Sequence, residues 1–319
     1  MSLSDFGEEE AVLPTVAFAT DEPSEILRYA YDSFRSGIPV ALVTLVEVRG
    51  GAARAIGAQM AVRGDGRYCG VVSGGCTEAA VAAEAVQALR KGHDRFLQLG
   101  EGSPFFDIVL PCGGGITLSI HILKKADPVG QVLSNLASRR PATLRYTPGS
   151  ESMEFGGESS RSQIGWFDGT FMTRYQPVTR VLLCGRSVEL TTAAAVARAA
   201  GYEVEQIDPA IDSNAFASKI DAFSAVALLF HDLDRELPLL QGALRSDPFY
   251  IGALGSKRTH EKRTALLRRH GFENTDIARI KAPIGIFDKA RDASSIALSV
   301  VADIAAAKTL AAQQESALG

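Results

Sequence analysis

Val181-Leu182-Leu183-Cys184-Gly185-Arg186-Ser187-Val188-Glu189-Leu190 decides the architecture of the second half of this chain. A short apolar run, long enough only for a buried strand, stops at Gly185, and a helix-forming run at 191–200 follows. The pattern then repeats: a strand at 203–207 ending on Asp208, strands at 225–230 and 249–254, and helices at 235–244, 257–270 and 293–307. Strands alternating with helices of this length predict a parallel sheet wound on both faces.

Upstream, the reading changes to a small α/β domain. Residues 23–34 predict a helix, with Pro23 near its start and Ile26, Leu27, Ala30 and Phe34 at helical spacing. Residues 39–48 form a continuous aliphatic and β-branched run, the pattern of a strand buried on both faces. A hairpin over 59–62 and 67–72 turns at Asp65-Gly66, a helix follows at 77–90, and strands are expected at 95–99, 106–110 and 116–123. Four segments result: a loose acidic tail at 1–20, an α/β domain at 21–125, a connecting segment at 126–178 and a Rossmann-like domain at 179–319. Within the connecting segment we expect a short helix at 129–137, an exposed loop at 148–162 and a hairpin at 163–167 and 170–175.

Composition limits the function. The chain has 319 residues, a net charge of −4 and a pI near 5.8, so nothing favours nucleic acid or an anionic membrane as a partner. Hydrophobic residues at 46% against charged residues at 22% exclude wholesale disorder. The longest apolar stretch, 296–310, is broken by Asp303 and Lys308, which argues against a membrane span. The first ten residues lack the features of a signal peptide, and the four cysteines fit no disulfide framework, so a cytoplasmic location with free thiols is expected.

Chemistry concentrates at four places. After the first Rossmann strand a dinucleotide binder wants G-x-G-x-x-G; here only Gly185 remains, Ser187 and Leu190 replacing the others. Asp208 stands where a ribose-binding acid would, so the alternatives are a phosphate-bearing ligand at Gly185 and a scaffold that no longer binds NAD. Gly255-Ser256-Lys257-Arg258 follows a strand and opens a helix with Ser256 as N-cap, an arrangement suited to an anion, or else a solvated basic helix. Gly74-Gly75-Cys76 precedes the helix of Glu78, whose positive end would lower a thiol pKa, while Glu78 itself also fits a first-turn acid favoured by the dipole. Cys112-Gly113-Gly114 places the second thiol beside residues without side chains. Two such thiolates would suit a soft metal or sulfur chemistry, against the ordinary reading of buried inert cysteine. For Cys69 and Cys184 packing is the expectation, and the five histidines form no metal-binding pair.

Taken in order, these residues resemble the XdhC/CoxI family, the maturation factors of xanthine and carbon monoxide dehydrogenases. The resemblance rests on Arg54, Gly57-Ala58, Asp65-Gly66, Gly74-Gly75-Cys76-x-Glu78 and Cys112-Gly113-Gly114 in the first half. In the second it rests on His231-Asp232, Tyr250-Ile251-Gly252-x-Leu254-Gly255-Ser256-Lys257-Arg258-Thr259 and Arg279-Ile280-x-Ala282-Pro283-Ile284-Gly285. It implies a small α/β domain followed by a Rossmann domain, in a chaperone that holds the molybdenum cofactor. Such a protein protects the cofactor while a cysteine desulfurase supplies the sulfido ligand, delivers it to an apo-molybdenum hydroxylase, and is expected to form a homo-oligomer. Cofactor contacts are then expected at Arg54, Gly74, Gly75, Cys76, Glu78, Cys112, Gly113 and Gly114, and at Gly185, Asp208, Gly255, Ser256, Lys257 and Arg258. Cys76 and Cys112 would be the metal-contacting thiols. Gly50-Gly51-Ala52-Ala53-Arg54 keeps only the glycine and arginine of the family's Gly-Ser-x-Pro-Arg, and Ile286-Phe287-Asp288-Lys289 departs from Leu-Asp-Ile-Gly, which indicates a divergent subgroup. Ser187 argues against NAD(P); the alternative function is an NAD(P)-dependent oxidoreductase with a reactive thiol.

Overall fold

A computed structural model describes residues 12–75, 77–101, 113–157 and 163–318, which fall into two compact units, 1–176 and 177–319. The first unit runs β1 (Thr15–Val16), α1 (Pro23–Arg35), β2 (Val40–Arg49), β3 (Gln59–Arg63), β4 (Arg67–Gly70), α2 (Glu78–Lys91), β5 (Arg95–Gly100) and β6 (Gly115–Ile122). It continues with α3 (Asp127–Ala137), β7 (Ala142–Thr147), β8 (Ser152–Gly157), β9 (Gly165–Phe167) and β10 (Thr170–Tyr175).

Its main sheet has the order β1-β4-β3-β2-β6-β5, antiparallel except for the β1/β4 pair. The uninterrupted apolar run of β2 follows from cover on both faces. Ala41, Val43 and Leu45 point into the core shared with α2, whereas Val40 and Leu42 point into the core shared with α1 and α3. The second sheet, β8-β7-β10-β9, is antiparallel throughout, and Ala142, Leu144 and Tyr175 join the α1/α3 core.

The structure thus gives residues 126–178 more than a connecting role, because α3 and this sheet bury part of the first unit's core. It also corrects the expected loop at 148–162: residues Ser152–Gly157 form β8, paired with β7. A buried network joins the two sheets. Asp94 Oδ2 accepts from Tyr146 Oη at 3.0 Å and lies 2.7 Å from His121 Nδ1, while Oδ1 accepts from Ile122 N at 2.8 Å. The strand expected at 106–110 lies outside the described residues.

The second unit runs β11 (Arg180–Cys184), α4 (Val188–Ala199), β12 (Glu203–Ile207), α5 (Ser213–Ala217), β13 (Ser224–Leu228) and α6 (Leu233–Arg245). Then come β14 (Tyr250–Ala253), α7 (Lys257–Arg269), α8 (Asn274–Ala278), β15 (Ile280–Lys281) and α9 (Ala293–Leu318). All strand pairs are parallel, in the order β12-β11-β13-β14-β15, so the doubly wound expectation holds. Alternate strand residues feed opposite cores. Leu182, Val226 and Ile251 meet Phe216, Leu240 and Leu267 on one face, and Val181, Ala225 and Tyr250 meet Ala193, Ala297 and Val300 on the other.

Helix α9 extends eleven residues past the expected end at 307, through a run rich in the helix formers Ala, Leu and Gln. Its stretch Ala293–Gln314 is long and apolar enough by composition to cross a membrane, yet Ala297, Val300 and Ile304 bury themselves in the unit's own core. Asp303 on the same helix is buried as well, pairing with Lys281 and accepting from Tyr250 Oη at 2.6 Å and Gly285 N at 2.9 Å. These bonds explain several residues of the 250–285 motif as architectural. Gly285 has room only for hydrogen, since a Cβ would stand 2.4 Å from Ser299 Oγ.

Candidate functional site

In the first unit, three loops at one end of the main sheet meet. The loop 50–58, between β2 and β3, lies between the turn before α2 and the turn before β6. A Cβ on Gly114 would stand 2.2 Å from Gly51 O, so these two backbones touch directly, and a Cβ on Gly74 would stand 3.0 Å from Ala53 Cβ. Gly75 (φ +103°) and Gly113 (φ +70°) also have left-handed backbones and differ from both in having nothing among the described residues within 4 Å of where a side chain would begin. The junction therefore presents open backbone on either side of loop 50–58, the kind of surface that lets a ligand approach closely. Cys76 and Cys112, the candidate thiols, lie outside the described residues.

Glu78 organises one of these turns. Its buried Oε1 accepts from Val72 N at 3.1 Å, Ser73 N at 2.8 Å and Ser73 Oγ at 2.9 Å, and Oε2 accepts from Thr77 N at 3.2 Å. Burial pushes its carboxyl up, but hydrogen bonds from Ser73, Gly75 and its own N–H outweigh that and hold it below the usual range. This carboxylate thus does the capping that Thr77, at the N-cap position, does not: Thr77 Oγ1 is buried without a partner among the described residues. The positive end of α2 is consequently met by the protein's own carboxylate, which weakens the expectation that the dipole alone lowers a neighbouring thiol pKa. Glu78 is a scaffold of the glycine turn. Each of its oxygens accepts at least one bond from that turn.

Arg54, on loop 50–58, donates from Nη1 to Asp21 Oδ2 at 2.9 Å. The two remaining cysteines behave as packing residues. Burial pushes the Cys69 thiol up to about 12, and Cys184, fully buried, is raised further by burial and then by Glu236 and Glu205.

In the second unit the candidate residues gather at the carboxyl ends of the strands. The strand order reverses between β11 and β13, the place where doubly wound sheets open a ligand crevice. Here the crevice is narrow at its base, since a Cβ on Gly185 would stand 2.6 Å from Leu229 O. Ser187, which breaks the glycine fingerprint, caps α4 by accepting from Leu190 N at 3.3 Å, and this cap starts the helix at Val188, three residues before the expected 191. Asp208 is paired: Oδ1 accepts from Arg186 Nη2 and from Ala210 N, both at 2.9 Å. Those two partners, with the backbone bond first, hold the Asp208 carboxyl below its ordinary value.

Across the sheet, Ser256 caps α7 as expected, accepting from Thr259 N at 3.2 Å. Lys257 and Arg258 are exposed on the first turn, with no ion pair among the described residues. A group that sequence reasoning missed lies beneath them. Arg263 and Glu236 form a fully buried bidentate pair, and Arg263 Nη2 also donates to Leu254 O at 2.7 Å, bracing the turn that leads into Gly255. No local signal marks this pair, because Glu236 looks like any first-turn acid and Arg263 like one more cation in a basic helix.

The first unit has a glycine-lined sheet end, and the second is a Rossmann domain with a modified fingerprint. Residues 33–100 match the XdhC and CoxI family, and residues 181–304 match the XdhC Rossmann domain. The molybdenum cofactor insertion chaperone PaoD of Escherichia coli (strain K12) is 50% identical over 297 residues, covering 92% of each chain. The chain belongs to the XdhC and CoxI family. Uncharacterized protein YqeB of the same organism is 27% identical over 271 residues, 83% of this chain and 43% of its own length. A crystal structure from Bacillus halodurans, described as a xanthine dehydrogenase, shares the fold with a TM-score of 0.71 at 19% identity, covering 91% of this chain and 96% of that one.

Proposed function

We propose that this protein binds the molybdenum cofactor as cargo and inserts it into an apo-molybdoenzyme. The observation that carries this reading is the 50% identity to a molybdenum cofactor insertion chaperone across 92% of both chains. The finer reading is that the client is a hydroxylase of the xanthine dehydrogenase type and that the cargo is held while a cysteine desulfurase supplies its sulfido ligand. We place this work in the cytoplasm and assign it to a homo-oligomer.

The first unit suits such a cargo. Open backbone at Gly75 and Gly113 provides a floor for a flat, polar molecule, and Cys76 and Cys112, each adjacent in sequence to one of these glycines, would supply thiolates toward a soft metal. In the second unit, Lys257 and Arg258 at the start of α7 would receive an anionic group. Holding and shielding are what the residues accomplish; the reactive centre belongs to the cargo.

The test is cofactor retention. Protein mixed anaerobically with molybdenum cofactor released from a molybdoenzyme, then desalted, should keep near-stoichiometric molybdenum and pterin, and should activate an apo-hydroxylase on addition. A Cys76→Ala/Cys112→Ala variant should lose most of both. A wild-type protein that retains no cofactor but shows a large thermal shift with NADH would instead favour an oxidoreductase.

A further inference from the structure

Arg54 lies on loop 50–58, one residue past Ala53, whose Cβ borders Gly74 at the glycine junction. That guanidinium is held by Asp21, at 2.9 Å, from the segment preceding α1. The segment 12–22 lies along β4 as a thin strap. Thr15 N donates to Gly66 O, Ala17 N donates to Tyr68 O, and the Phe18 ring meets Tyr29 edge-on with centroids 5.5 Å apart. Leu13 and Val16 point away, 80% and 59% exposed. The strap's other nearby acids are engaged elsewhere: Glu22 caps α1 through Ser24, and Glu25 accepts from Thr20. Asp21 is thus the acid this strap extends toward loop 50–58.

We infer that Asp21 is an internal competitor for an anion-binding Arg54, so that the strap masks the guanidinium until an anionic group of the cargo displaces it. Three features support exchange over a permanent clamp. The pair is exposed, 35% at Arg54 and 68% at Asp21, and exposed pairs contribute little to stability. The contact joins Nη1 of Arg54 to Oδ2 of Asp21, whereas a phosphoryl group offers three oxygens and up to two charges to the same planar fork. Asp21 lies five residues past β1, so it can release Arg54 while the strap's anchors, Val12 on the core, two backbone bonds to the β4 hairpin and Phe18 on Tyr29, stay in place. The incoming ligand is recognised as a phosphate-bearing molecule. The inference rests on the cargo reading above, and the phosphate of that cargo is the displacing group.

Cofactor retention by wild type, Asp21→Asn, Arg54→Ala and the double variant tests it, each measured at low and high salt. Asp21 is exposed, and the thermal midpoint of each variant reports whether folding is preserved. Removing the competitor should tighten cofactor binding roughly two- to fivefold at low salt, the range an exposed ion pair can supply. The gain should shrink at high salt and vanish in the double variant, which should match Arg54→Ala. If wild type retains the cofactor but Asp21→Asn retains it no better, or if the gain survives without Arg54, the competitor is overturned while the cargo reading stands. If no protein retains cofactor at any salt, both are overturned.

Discussion

Each unit buries one glutamate in the first turn of a helix, next to a glycine-bearing loop, and the two are satisfied in different ways. Glu78 is surrounded by backbone N–H groups and the Ser73 hydroxyl, and its carboxyl lies below the ordinary range. Glu236 is paired with Arg263, yet burial raises its carboxyl more than the arginine lowers it. Fixed amide donors stabilise a buried charge while shaping the backbone that supplies them. An ion pair must first overcome the desolvation of two charges, and it fixes only what the arginine also touches, here Leu254 O. The first arrangement moulds an open turn; the second braces a closed one.

The largest expected effect comes from breaking the pair. Glu236→Ala strands a fully buried guanidinium and should cost about 3–5 kcal/mol in denaturant unfolding of the second unit. An effect under about 1 kcal/mol would mean that Arg263 reaches water easily. Glu78→Ala leaves several buried donors unsatisfied and should cost about 2–3 kcal/mol in the first unit, with faster amide exchange at Val72, Ser73 and Thr77.

The two glutamates should also differ in the sign of their pH dependence. Because Glu78 is depressed in the folded state, its stabilisation is present above the unfolded pKa of about 4.3 and is lost as pH falls through the folded value. Glu236 is raised, so its contribution declines as pH rises from about 4.3 through the folded value. Glu78→Gln should therefore flatten the acid side of the stability profile, and Glu236→Gln should remove a decline above it. Profiles that shift in the same direction would contradict the contrast.

Smaller effects separate open from closed glycines. Gly75→Ala meets no neighbour among the described residues, so its left-handed backbone is what is strained, at about 1–2 kcal/mol, while the added methyl group should reduce cofactor retention. Ser187→Gly should be smallest, a few tenths of a kcal/mol for the lost cap oxygen. It restores a Gly-x-Gly, yet should yield no thermal shift with NADH, because Leu190 still fills the position of the third glycine.

What could be read from the sequence follows from the range of the interactions involved. The buried runs of β2 and β11, the Asp65-Gly66 hairpin and the Ser256 cap announce themselves within a few residues, and all form where expected. Strand β8 does not, because Ser152-Met153-Glu154-Phe155-Gly156-Gly157 has little intrinsic β preference and is held by pairing with β7. The same limit applies to the site. Gly74, Gly75, Gly113 and Gly114 could be singled out from composition, but their meeting across loop 50–58 depends on sheet order, with β2 between β3 and β6. Glu78 could be seen as a first-turn acid; that its carboxylate gathers the turn around it depends on the path of residues 72–77. Arg186 reaching Asp208, and Arg263 reaching Glu236, link side chains 22 and 27 residues apart, beyond any local pattern.

The central claim is that the glycine junction of the first unit holds the cargo. The most direct measurement compares molybdenum retained after desalting by wild type, by Gly75→Val and by Lys257→Ala/Arg258→Ala, each first shown to be folded by its unfolding curve. The account predicts near-stoichiometric retention by wild type, loss of most of it in Gly75→Val, and retention close to wild type in the double variant. Full retention by Gly75→Val, with loss confined to Lys257→Ala/Arg258→Ala, would contradict it and place the cargo on the Rossmann unit.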